Sequence, residues 1–211
     1  MRVIGHSTLI FSLSTFILFS RCSKMPVLEN IEDLTKKLEY INMLSQLQPT
    51  RVKFVSERKL ECPSSRNKFY VTLFCGIDRR STPLQFGIGQ GTINATMFSE
   101  AVEFALASRW LLPGDILVMN NSKIHTGGEN TVLEDWLWDS FRILVLFLPP
   151  RTPKWTPANA VWKDVTQMMR STLLNPFQEN SVVHVAQNVL NTFTHREMEC
   201  FYSDCYAKCG L

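Results

Sequence analysis

GDILVMNNSKIHTGG, residues Gly114 to Gly128, is followed by a helical segment and then by RILVLFLPPRTPKWTPANAVW, residues Arg142 to Trp162. Asp115 to Met119 reads as a short apolar strand that ends in two polar residues, Asn120 and Asn121, with His125 four residues further on. Ile143 to Leu148 is an uninterrupted apolar run, expected to be a strand buried on both faces. It ends at Pro149-Pro150, and a proline-rich turn leads into a helix. Thr156 is a suitable N-cap and Pro157 suits the first helical position. The inward face of that helix is Val161, Trp162, Val165 and Met169. Between the strands, Asn130 to Trp138 has helical spacing, with Val132, Leu133, Trp136 and Leu137 turned inward.

Upstream, turn chemistry at Cys62-Pro63-Ser64-Ser65 and Arg80-Ser81-Thr82-Pro83 separates three strands: Arg51 to Ser56, Phe69 to Ile77, and Leu84 to Ile88. Thr96 to Trp110 reads as a helix, with Phe98, Val102, Leu106 and Trp110 on one side. Before the strands, Leu28 to Leu47 carries Ile31, Leu34, Leu38, Ile41 and Leu44 at helical spacing, which predicts a helix docked by that stripe. After the core, Asn180 to Thr194 is a further helix, and Met198 to Leu211 gives no clear reading. The order is strand, strand, strand, helix, strand, helix, strand, helix. It predicts an α/β fold with a mixed sheet and helices on both faces.

The two quoted segments closely resemble the catalytic core of the DDE transposases, in the mariner-like branch of the DDE superfamily endonucleases. Members read Asp-Asn-x-x-x-His after the first strand, and Leu-Pro-x-x-Ser-Pro-x-Leu-Asn-Pro-Ile-Glu-x-x-Trp after the second. The element order is that of the RNase H-like fold these proteins share. The resemblance covers about residues 28 to 200. It implies DNA cleavage and joining at transposon ends with Mg2+ or Mn2+, and DNA as the partner, with a homodimer as an open assembly and no small-molecule substrate.

Chemistry of that kind needs three carboxylates around two divalent ions. The first family position falls on Ser56, followed by Glu57. The second falls on Asn120, followed by Asn121, with His125 on the family histidine. The third falls on Asn159, by register from Pro153, Pro157 and Trp162. All three acids are thus replaced by uncharged residues, and the metal ions are expected not to bind. Glu57 should point to the opposite face of its strand, and Asp164 lies about 140° around the helix from Asn159. Asp78 is the best spare acid. Lys123, Arg151, Lys154 and Lys163 flank the site as candidate phosphate contacts, against the plainer reading of a solvated rim.

The net charge of +3 permits nucleic-acid contact without arguing for it. With 45% hydrophobic residues the chain can bury a substantial core. Cys200, Cys205 and Cys209 gather near the end with His195, at a spacing that matches no common zinc finger. Leu9 to Phe19 is an apolar run too short to span a bilayer. It fits a signal-peptide core in length, while Phe11 to Lys24 resembles the end of the helix-turn-helix units that precede the core in relatives. The expected organisation is a remnant or signal-like segment over 1–27, a linker helix over 28–48, the core over 49–175, and a C-terminal helix with a cysteine-containing tail over 176–211. Nuclear or cytoplasmic localisation is expected, without a membrane. There is no Walker-type loop, G-x-S-x-G elbow or H-E-x-x-H. The leading reading is a transposase-derived protein whose cleavage is impaired and which retains DNA or protein binding. An active endonuclease with substitute acids and a secreted binding domain remain as alternatives.

Overall fold

Strand β1, Val52–Leu60, is the middle strand of the sheet: it pairs antiparallel with β2, Phe69–Cys75, on one side and parallel with β4, Ile116–Met119, on the other. β3, Leu84–Gln90, continues the antiparallel edge beyond β2, and β5, Leu144–Phe147, lies parallel to β4. The sheet order is β3-β2-β1-β4-β5. The structure is a computed structural model that describes residues 30–60, 68–121, 130–173 and 182–211. The chain divides into Met1–Asn30 and Ile31–Leu211, and the fold is that of the second unit. The signal-like run at 9–19 lies outside the described residues.

Period-two alternation in the strands feeds two cores. Val52, Phe54, Leu73, Val118 and Leu146 enter the first, under helices α1 (Ile31–Ser45), α4 (Ala158–Leu173), α5 (Val182–Leu190) and α6 (His195–Cys209). Val55, Phe74, Leu117 and Met119 enter the second, under α2 (Ala95–Ala107) and α3 (Asn130–Phe141). Helices therefore cover both faces, as the sequence predicts. Asn94 caps α2 by accepting from the Met97 amide at 2.9 Å. Thr156 Oγ1 accepts from the Ala158 amide at 3.3 Å as α4 begins, and Val161, Trp162, Val165 and Met169 are all buried.

Several expectations are corrected. The stripe on α1 docks only at its C-terminal end: Leu44 is buried and Ile41 packs against the core, whereas Ile31 is 81% exposed and Leu38 62% exposed, with Leu34 also in solvent. The helix docks through Tyr40 and Leu44, with Tyr40 stacked on Trp155 at 5.9 Å. Val132 faces solvent and not the core of α3. β5 is an edge strand with Leu144 exposed, not a strand buried on both faces. The segment from His195 onward is a 15-residue helix. Thr194 Oγ1 accepts from the Glu197 amide at 3.3 Å, the Glu197 carboxylate accepts from the Thr194 amide at 2.8 Å, and Gly210 closes the helix at φ 81°.

Candidate functional site

β1 carries Ser56 two residues past Phe54, on the same face and under α4. The Trp162 indole donates from Nε1 to Ser56 Oγ at 3.1 Å. Asn120 follows directly on β4 and is exposed. The parallel register Phe54↔Val118, continued by two residues, sets Asn120 beside Ser56. Asn159 is exposed in the first turn of α4, about 60° around the helix from Trp162. The three positions singled out by the sequence thus gather at one end of the sheet, on one face. Glu57 points to the other face, with Val55. Asn121 is exposed just beyond Asn120. His125 and Lys123 lie outside the described residues.

Ser56, Asn120 and Asn159 offer neutral oxygens only. Hard divalent ions in a paired site need anionic oxygen around both metals, so this donor set does not fit such a pair. Among the described residues there is no group of three His, Cys, Asp or Glu side chains arranged to hold a metal ion. Cys205 and Cys209 are buried one turn apart on α6, while Cys200 is exposed. The Cys205 thiol hydrogen-bonds toward Cys209, which raises the pKa of the first and lowers that of the second. His195 Nε2 lies 3.3 Å from the Asp78 carbonyl oxygen.

Beside Asn159 runs a groove of about 850 Å³ between α4 and α6. Arg58, Lys154, Lys163 and Arg170 line it, with Asp164 and Phe201. Among the described residues those four cations make no ion pair, whereas Lys208 at the groove's far side holds Asp204 at 2.9 Å. Arg58 lies on the same face of β1 as Ser56, and its guanidinium carbon is 5.9 Å from the centroid of the Trp162 ring. Lys154 and Lys163 were legible as site-flanking cations. Arg58, Arg170 and Lys208 were missed, because they lie on three separate elements, β1, α4 and α6, that only the tertiary fold brings to one groove. Arg151, also singled out by sequence, is absent from the groove and ion-pairs with Asp33 of α1.

The spare acid Asp78 is at the opposite end of the sheet. β2 runs antiparallel to β1 with Cys75 against Phe54, so residues past Cys75 return to the start of β1. There Asp78 accepts from Arg80 Nη2 at 2.6 Å and lies 3.9 Å from Lys53 Nζ. The Arg80 hydrogen bonds outweigh the burial of the carboxyl and hold its pKa down to about 2. Asp115, fully buried nearby, accepts from Arg51 at 3.4 Å and from the Leu112 amide at 2.9 Å. Both acids are committed to structure, away from Asn120.

No curated protein matches this chain. Among solved structures it is similar to the catalytic domain of the Mos1 transposase, solved with raltegravir and Mg, at 13% identity and a TM-score of 0.59, covering 87% of this chain and 98% of that one. It is also similar to the protein in the Mos1 mariner paired end complex with Mn, at 10% identity and a TM-score of 0.62, covering 91% of this chain and 65% of that one. The Mos1 paired-end complex with left transposon end matches at 12% identity and a TM-score of 0.51, covering 90% of this chain and 67% of that one. At these identities the likeness establishes the fold, the RNase H-like arrangement of transposase catalytic domains. The family model described as DDE superfamily endonuclease matches residues 47–180, well over half of the chain, and the chain belongs to that family.

Proposed function

We propose that this protein is a transposase-derived DNA-binding protein in which the centre for DNA cleavage has lost its function. The observation that carries the reading is the neutral set Ser56, Asn120 and Asn159 beside a groove lined by Arg58, Lys154, Lys163 and Arg170, none of them ion-paired among the described residues. Cleavage by a metal pair needs anionic ligands, and this set has none. Gripping a DNA backbone needs only cations and hydrogen-bond donors, and these remain. A similar protein solved with a left transposon end supports DNA as the partner.

Two assays test the reading. Filter binding of duplex DNA at two salt concentrations should give an affinity that falls steeply as salt rises; an absent or salt-insensitive signal contradicts DNA binding. Supercoiled plasmid incubated with Mn2+ should remain intact. Metal-dependent nicking would instead favour an active endonuclease, with Asp164, which lines the groove together with Asn159, as the first residue to substitute.

A further inference from the structure

Replacing three carboxylates by serine and asparagine does more than remove metal ligands. A carboxylate only accepts hydrogen bonds and repels a phosphodiester, so a carboxylate site holds DNA only with a cation between the two. Serine and asparagine side chains can donate. They can meet a phosphate oxygen directly, provided a positive charge is fixed nearby.

Arg58 supplies that charge. It lies two residues past Ser56 on β1, so it shares that residue's face of the sheet. Its guanidinium lies over the Trp162 ring, 5.9 Å from the centroid. The same indole donates to Ser56 Oγ at 3.1 Å, which occupies the serine as an acceptor and leaves its hydroxyl proton to be donated elsewhere. Trp162 is therefore a positioning residue for both groups. Arg58 and Asn159 line the same groove, and Arg58 makes no ion pair among the described residues. Its planar fork matches two oxygens of one phosphate.

We propose that Arg58, fixed by Trp162, takes the electrostatic place of the metal ions and anchors a DNA backbone phosphate at Ser56 and Asn159, so that this centre holds DNA without divalent metal. The inference rests on the DNA-binding reading above and adds the place and the metal independence. Its object is the phosphodiester backbone, whose oxygens a guanidinium, a hydroxyl and a side-chain amide can all meet as donors.

The test is fluorescence anisotropy with a labelled DNA duplex, in EDTA and in Mg2+, on folded variants checked by thermal melting. The natural chain should bind equally in both. Arg58→Gln should weaken binding at least tenfold in EDTA and reduce the slope of log K against log salt by about 1. Arg58→Lys, which keeps the charge and loses the fork, should fall between. Trp162→Phe, which keeps a ring and loses the Ser56 bond, should also weaken binding. The variant Ser56→Asp/Asn120→Asp/Asn159→Glu should lose affinity in EDTA and recover it in Mg2+, a reversal that a merely structural role for these residues would not produce. If Arg58→Gln binds as the natural chain does while Lys154→Gln/Lys163→Gln is weakened, DNA binding stands and the anchor is overturned. If the natural chain binds in Mg2+ only, metal independence is overturned. If it binds in neither, the DNA-binding reading itself fails.

Discussion

Lys53 is a fully buried ammonium with no hydrogen-bond partner among the described residues. It faces the Trp110 ring at 4.8 Å and Asp78 at 3.9 Å, and a side chain at Gly76 would meet it at 3.1 Å. Burial lowers its pKa, with Asp115 and then Asp78 opposing. The unfolded chain therefore holds this proton more tightly, and its burial costs stability at neutral pH that is recovered as pH rises toward the ordinary lysine range. Lys53→Met should raise the melting temperature, with a gain of about 1–2 kcal/mol, because Asp78 keeps Arg80 and Asp115 keeps Arg51. A lower melting temperature would mean that the ammonium is needed to hold the two acids. Asp78 has the opposite sign. Its pKa is depressed to about 2, first by the Arg80 hydrogen bonds. Its stabilisation is present above the ordinary aspartate pKa and is lost as pH falls from about 4 toward 2. Denaturant unfolding from pH 5 to pH 2 should show this loss, on the order of 1–2 kcal/mol, and Asp78→Asn should remove that part of the slope. These residues were hard to read from sequence. Asp78 looked like a spare acid because the antiparallel return that carries it to the wrong end of the sheet is a tertiary fact.

At the scale of elements, periodicity found the strands and most helices to within a few residues, because alternation and helical spacing report the buried side directly. It failed where exposure and pattern part. Ile31, Leu34 and Leu38 have the spacing of a buried face, yet α1 docks only through its C-terminal half, at Tyr40 and Leu44. β5 has the composition of a central strand and lies at the edge. The final helix was missed although its start signal, Thr194 with Glu197 three residues later, is written in the chain. α6 matters to the sheet, since Tyr202 Oη lies 2.8 Å from the carbonyl oxygens of both Val52 and Cys75 and shares its proton between them. Thr194→Ala should cost about 1 kcal/mol in denaturant unfolding. No measurable change would mean that the packing of Met198, Tyr202 and Cys205 fixes the helix without its cap.

For the whole molecule, the fold was legible because alternation, helical spacing and turns follow the order of its elements, and the Pro153, Pro157 and Trp162 register puts Asn159 in the first turn of α4, as found. The cationic groove was legible only in part. Arg58 sits on the first strand, Arg170 at the end of α4 and Lys208 near the chain's end, and sequence distance hid their convergence. The molecule has the fold of the DDE superfamily endonucleases, and the positions Ser56, Asn120 and Asn159 carry neutral side chains beside a groove lined by cations. The measurement to make is the thermal shift with Mn2+ for the natural chain and for Ser56→Asp/Asn120→Asp/Asn159→Glu. A ligand at about 100 times its Kd stabilises the folded state by about 2.7 kcal/mol. The expected result is a shift of the variant alone, which requires the three positions to converge on one ion-binding centre. An equal shift of the natural chain would contradict it, since metal would then bind without the acids.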